Sequence, residues 1–159
     1  MPTIQTLLNI QAPIDRVFDL SRSIDLHIIS TQQTHERAIA GRTSGLIDLG
    51  ETVTWRAKHF GIYQTLTSQI TNLHRPFSFT DEMVQGIFKS FKHQHKFTND
   101  GIHTLLTDIF DYEAPFGILG HAANVLFLKW YMRRLLERRN NTIKAYAETD
   151  MWKAVLKTS

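Results

Sequence analysis

"GIFKSFKHQHKFTNDGIHTLLTDIFDYEA", residues 86–114, reads as two strands around a turn. Asn99, Asp100 and Gly101 form a strong hairpin signal, because these residue types accept the backbone conformations that tight turns require. Alternate residues of a strand share a face. Phe91, His93, His95 and Phe97 therefore point one way, and Ser90, Lys92, Gln94 and Lys96 point the other. The phenylalanines belong inside and the lysines in water, so both histidines are expected to point inward. That phase removes a nucleic-acid reading of the stretch, since its aromatic residues lie on the wrong side to interleave with its lysines.

The register of this hairpin decides what the histidines meet. A two-residue loop at Asp100-Gly101 places His93 opposite Asp108 and Phe91 opposite Phe110. A carboxylate there would fix the imidazole tautomer and raise its pKa. A three-residue loop places His93 opposite Thr107 instead, and the pair dissolves. The two-residue register is the one expected.

Further strands precede the hairpin. "TIQTLLNI" (3–10) alternates as a first strand, and Pro13 then opens a helix, "PIDRVFDLS", with Asp15 at its positive end. A second short helix follows Ser23, a good N-cap. From Glu36 to Glu113 the chain becomes a series of strands separated by turn residues: 36–41, 51–59, 61–73, 77–83, 86–98 and 102–114. Val53, Trp55, Ala57 and His59 share one face of the second of these. Phe77, Phe79, Asp81 and Met83 share a phase, which puts Asp81 among aromatic rings, where a carboxylate needs a partner or a raised pKa. Arg56 points away from it on its own strand; His27 of the second short helix is a candidate partner, with a solvent-exposed His27 the equal alternative.

After Pro115 the period switches from two to 3.6. Ile118, Ala122, Val125, Leu128, Met132 and Leu135, continued by Leu136, Ile143 and Ala147, make one apolar stripe, which predicts a helix of about thirty residues. "RNN" at 139–141 interrupts the stripe and is expected at a bend or at a wet end of a cavity. Arg133, Arg134, Arg138 and Arg139 spread around the helix, either as a solvated surface or as a contact for an anionic membrane, the latter favoured if Phe127, Trp130 and Tyr131 are exposed together.

The 159 residues suit one domain, 1–159, with no repeat, linker or low-complexity segment. The absence of cysteine excludes disulfides and thiol nucleophiles and suits a reducing compartment. The N-terminus lacks the basic flank and apolar run of a signal peptide, and no apolar stretch approaches the roughly 18 residues of a membrane span. The expectation is a soluble, cytoplasmic protein. A net charge of +3 hints at acidic partners, but charge alone says little about a specific site. Glycine-rich phosphate loops, HExxH and GxSxG are all missing.

The order of strand, two short helices, about six antiparallel strands and one long helix resembles the START-like helix-grip superfamily (SRPBCC), which includes plant pathogenesis-related proteins, polyketide aromatase/cyclases and lipid-transfer proteins. The resemblance covers nearly the whole chain. Its carriers are "APIDRVFDLSRSIDLH" (12–27), "GETVTWRAKHFG" (50–61), "RPFSFTDEMVQGIFKSFKHQHKF" (75–97) and "FDYEAPFGILG" (110–120), which look like a bacterial branch of that superfamily. It implies an α+β fold, in which a curved antiparallel sheet of six to seven strands is covered on its concave face by the C-terminal helix.

That architecture would enclose a cavity for a small hydrophobic or amphipathic molecule such as a lipid, polyketide or aromatic metabolite. Trp55, Phe79, Phe91 and Phe110 are its expected apolar walls. Asp81, His93, His95 and Asp108 are its expected polar groups, the usual division of labour in such pockets. The same residues leave other readings open. The histidines could be structural, or a His–Asp pair could move protons in a cyclase, aromatase or hydratase reaction. They could also begin a metal site, but His-x-His supplies only two of zinc's ligands. Asp108, Asp81 or His59 could add more, yet no spacing requires it, so neither a metal nor a cofactor is expected.

Overall fold

The computed structural model describes residues 2–114 and 122–156. Strand β1 (Thr3–Ile10) leads into helices α1 (Ile14–Ser21) and α2 (Ile24–Ser30). Six strands follow: β2 (Arg37–Gly41), β3 (Thr52–His59), β4 (Ile62–His74), β5 (Ser78–Gln85), β6 (Ser90–Asp100) and β7 (His103–Glu113). Helix α3 (Ala122–Ala147) and a short α4 (Trp152–Val155) complete the chain. The strands form one antiparallel sheet in the order β1-β7-β6-β5-β4-β3-β2. Its curvature is the expected one. Register shifts in the β2–β3 and β4–β5 pairs supply the local bends that curving a sheet requires.

Each short helix forms for a local reason. Pro13 stands just before α1 with φ −61°, and the Ser23 side chain accepts a hydrogen bond from the Leu26 amide at 3.1 Å. The 26 residues of α3 span about 39 Å at about 1.5 Å per residue. Lys144 donates to the Asn9 carbonyl at 2.7 Å and Arg133 to that of Gln5 at 3.2 Å, which ties α3 along β1. Leu136, Ile143 and Ala147 of the apolar stripe are buried. Ile118 lies outside the described residues, as do the side chains of Ala122 and Val125.

The inward phases of β3, β6 and β7 are as the alternation predicts: Phe91, His93, His95 and Phe97 are all buried, while Lys92 and Lys96 are exposed. Phe18 of α1 packs edge-on against Phe79 and Phe97, with ring centroids 5.5 and 5.2 Å away, which seats the helix on the sheet.

Two expectations are corrected. The β6–β7 hairpin closes at Asp100↔His103, so its loop is Gly101-Ile102 rather than Asp100-Gly101. Gly101 has φ +66° and takes the first loop position, where a turn of the II′ class demands glycine. Thus His95, not His93, lies opposite Asp108; His93 lies opposite Phe110, and Phe91 opposite Tyr112. Phe77 also fails to join Phe79 inside. Its amide bonds the His74 carbonyl at 2.7 Å in a turn before β5, and its ring is 60% exposed.

Candidate ligand-binding cavity

A cavity of about 690 Å³ lies between the sheet and α3, with its apolar walls supplied by both. Trp55 of β3, Phe79 of β5, Phe91 of β6 and Phe110 of β7 all line it, with Leu136 of α3 opposite. Asp81, His93 and His95 line it as well. Asp108 does not. It is fully buried behind the two imidazoles, because the inward phase of β7 at that point is closed over by β6 and α3.

The polar group is built from four elements. His95 Nε2 lies 2.8 Å from Asp81 Oδ1, across β5 and β6. His93 Nε2 lies 3.1 Å from Asp108 Oδ1, so the expected pair exists on a diagonal instead of directly across the ladder. His95 Nδ1 sits 2.9 Å from that same oxygen, but off the hydrogen-bonding direction, leaving an electrostatic contact. The imidazoles lie against each other with centroids 3.8 Å apart, and Phe79 stacks on the far face of His95 at 4.1 Å.

Asn140 closes the back of the group by donating to Asp108 Oδ2, and also donates to the Thr6 hydroxyl at 3.3 Å. Arg139 is buried too. It donates to the Ser21 carbonyl at 2.6 Å and to Asn140 Oδ1 at 3.2 Å. "RNN" does not end the helix, since α3 continues through it, and two of its side chains hold the polar group in place. A signal was available, since Asn140 falls four residues after Leu136 and three before Ile143, on the inward stripe.

Charge in this group follows from its contacts. Burial opposes ionisation of Asp108, but the hydrogen bond from His93 and the close approach of His95 outweigh it and hold its carboxyl well below the usual range. Burial likewise opposes a charged Asp81, and its His95 bond and the neighbouring cations overcome this. Burial opposes a charged His95, yet Asp108 and Asp81 on either side raise its pKa. Burial and the adjacent His95 lower the pKa of His93, more than Asp108 raises it. His95, between two carboxylates, therefore holds its proton to higher pH than His93, whose Nε2 faces Asp108. In metal-free protein at low chelator concentration, a proton NMR titration is expected to show His95 titrating above, and His93 below, the ordinary imidazole value of about 6.5. Both rings titrating together at that value would refute the assignment.

A second polar group, which the sequence reading did not assemble, lines the same cavity. His27 Nε2 lies 3.1 Å from Glu36 Oε1 and its ring packs on Trp55, centroids 4.3 Å apart. His27 thus partners Glu36 and not Asp81. Burial opposes a charged Glu36, but His27 and His59 keep its carboxyl below the usual range. His59 Nδ1 meets the Tyr131 hydroxyl at 2.7 Å and stands apart from the Asp81 group. Tyr131 is 72 residues from His59, and Glu36, though only nine from His27, lies beyond the end of α2, so no local motif marks either pair.

The topology and proportions have close counterparts among solved structures. A START superfamily protein from Mycobacterium smegmatis superposes with a TM-score of 0.70 at 12% identity, covering 92% of this chain and 97% of that one. Major latex-like protein 151 from Panax ginseng gives 0.66 at 18% identity, over 93% and 98% of the two chains. The chain has the START-like helix-grip fold. The di-domain ARO/CYC StfQ from the steffimycin biosynthetic pathway gives 0.71 at 17% identity, over 92% of this chain and 50% of that one. No family model matches the helix-grip chain, and no curated protein matches it in sequence. Among the described residues, no helix is long and apolar enough to cross a membrane.

Proposed function

We propose that this chain, acting as one domain over residues 1–159 in the cytoplasm, binds a small hydrophobic or amphipathic molecule in the cavity between sheet and α3. The observation that carries the reading is the cavity itself: about 690 Å³, walled mainly by aromatic and aliphatic side chains, with Asp81, His93 and His95 gathered at one place on its wall. Apolar walls supply affinity through burial, and a few convergent polar groups orient the ligand. Trp55, Phe79, Phe91 and Phe110 would contact its apolar body, and the Asp81–His93–His95 group its polar end. Asp108 would position the histidines without touching the ligand.

Ser68 of β4 is buried and lines the cavity, so Ser68→Phe tests the reading by filling the space. Native mass spectrometry of the purified protein is expected to show a retained small molecule, and 1-anilinonaphthalene-8-sulfonate to bind saturably to the emptied protein. Ser68→Phe should weaken that dye at least about tenfold, a loss of roughly 1.4 kcal/mol. An empty wild-type protein whose dye binding is untouched by Ser68→Phe would sink the proposal.

A peripheral contact with anionic membrane supports loading of such a ligand. Of the three aromatics named from the sequence, Phe127 and Trp130 are 48% and 53% exposed while Tyr131 is half-buried against His59; Phe60, 63% exposed, joins them beside Lys58, Arg134 and Arg138. Phe60, Phe127 and Tyr131 also border the main cavity. Phe60 and Gly61 both have positive φ, +52° and +78°, in the β3–β4 turn, where asparagine is the favoured residue before glycine. Phe60→Asn is therefore expected to stabilise the fold by about 1 kcal/mol while weakening cosedimentation with phosphatidylserine vesicles. Unchanged vesicle binding would remove the contact from the proposal.

The His93–Asp108 hydrogen bond favours a second reading, a proton-moving reaction of the cyclase or hydratase type on the bound molecule. A carboxylate behind a neutral imidazole keeps one tautomer facing the cavity. Turnover of a bound aromatic or polyketide-like ligand, lost in His93→Gln with binding retained, would establish it.

A further inference from the structure

We propose that Asp81, His93 and His95 bind one divalent cation of the zinc class at the cavity wall. This goes beyond the binding of an apolar molecule, and neither depends on the other.

The convergence comes first. One ligand atom from each of the three residues lies within 4.8 Å of the others. His-x-His on β6 places both imidazoles on one face, and the β5–β6 pairing of Asp81 with His93 brings the third ligand from the next strand. Sequence spacing alone supplies two ligands; the sheet supplies the third.

The orientation of the rings is the stronger argument. Each imidazole turns one nitrogen to Asp108 and the other to Asp81. His93 offers Nε2 to Asp108 Oδ1 at 3.1 Å, and its Nδ1 lies 3.9 Å from Asp81 Oδ1. His95 offers Nδ1 to that same Asp108 oxygen at 2.9 Å, and its Nε2 lies 2.8 Å from Asp81 Oδ1. For His93 the buried carboxylate behind the ring fixes the tautomer that leaves Nδ1 free toward Asp81, the arrangement that orients histidines toward metals, while on His95 a cation would displace the proton shared by Nε2 and Asp81. Here one buried carboxylate orients His93 by a hydrogen bond and lies in charge contact with His95, and Asn140 holds that carboxylate.

Spacing and donor chemistry agree. Tetrahedral bonds of about 2.0–2.2 Å put donor atoms about 3.4 Å apart. The two nitrogen–oxygen distances to Asp81, 3.9 and 2.8 Å, fall on either side of that value, so side-chain rotation is needed to close the site. Two imidazoles and one carboxylate, with no thiolate, suit zinc, cobalt or iron over calcium or magnesium. With Asp108 included, the two carboxylates balance a divalent charge. Arg139 is the facing cation, anchored on the Ser21 carbonyl. All three ligands line the cavity, so a further coordination position opens into it.

The test uses untagged full-length protein, stripped with a chelator and titrated separately with ZnCl2 and CoCl2. One equivalent of each is expected to bind. Cobalt should give visible d–d absorption of a four- or five-coordinate site and paramagnetically shifted imidazole protons from two histidines. Asp81→Ala and His93→Ala should each weaken zinc by at least about tenfold, and Asp108→Asn by about 10–100-fold. His59→Ala should leave affinity unchanged. The wild-type spectra need no variant to fold, so they stand alone. Lack of one-equivalent saturation in wild-type protein overturns the site. So does saturation without two shifted histidines, or affinity that survives both Asp81→Ala and His93→Ala.

Discussion

Asp108→Ala is expected to lower the unfolding free energy by about 3–5 kcal/mol, the cost typical of removing one partner from a buried ionic pair. Asp108 is fully buried, bonded by His93 and Asn140, and beside His95. Its removal leaves His95 with one carboxylate in place of two, and Asn140 and His93 with donors facing a void. Urea unfolding of wild type and variant measures the difference; a loss below about 1 kcal/mol would mean that the network is wet and dispensable.

The same group sets the acid limb of stability in metal-free protein. Asp108 is held below its unfolded value, so its contribution is present above about pH 3.9 and is lost as pH falls through the folded value. Asp81 acts in the same direction. His95 is raised, so its contribution is complete below about pH 6.5 and is lost as pH rises through the folded value. His93 is lowered, and its preference for the neutral form is lost as pH falls below about 6.5. The two histidines therefore oppose each other near neutrality, and the carboxylates dominate in acid. Asp108→Asn should show a shallower loss of stability on acidification than wild type. An acid limb as steep as wild type's would place its cause elsewhere.

Phe18→Ala is expected to cost about 3–5 kcal/mol, the range for emptying a buried phenylalanine site. Phe18 is completely buried and its ring seats α1 against Phe79 and Phe97. Phe79 in turn stacks on His95, so the cavity created would lie beside the polar group. Thermal unfolding reads the loss, and Phe18→Leu, which keeps most of the volume, should recover more than half of it. A variant as stable as wild type would show that α1 does not carry the packing assigned to it.

The fold was largely legible from local pattern. Alternation placed Phe91, His93, His95 and Phe97 inward, as the structure does, because period-two burial depends only on the strand's own residues. The switch to a 3.6 period located α3, and Pro13 and Ser23 marked the starts of α1 and α2. Phe77 misled because a turn residue next to a strand carries the strand's phase in sequence but not its hydrogen bonds. Asn140 was visible as a polar residue on an apolar stripe, yet nothing in the helix pattern could say what it would reach.

By itself, then, the sequence determined the order of the elements, which face of each strand is buried, and the presence of two imidazoles inside. Only the tertiary structure decided which carboxylates meet them. Sliding β7 by two residues keeps every inward side chain inward, so alternation cannot distinguish His93 opposite Asp108 from His95 opposite Asp108. The choice rests on the single positive φ of Gly101, which moves the turn by one residue. Asp81 and Asn140 arrive from a neighbouring strand and a helix whose separation in sequence holds no trace of their distance in space. Burial then does the rest, since groups withdrawn from water must find one another, and in this protein they do so around Asp108.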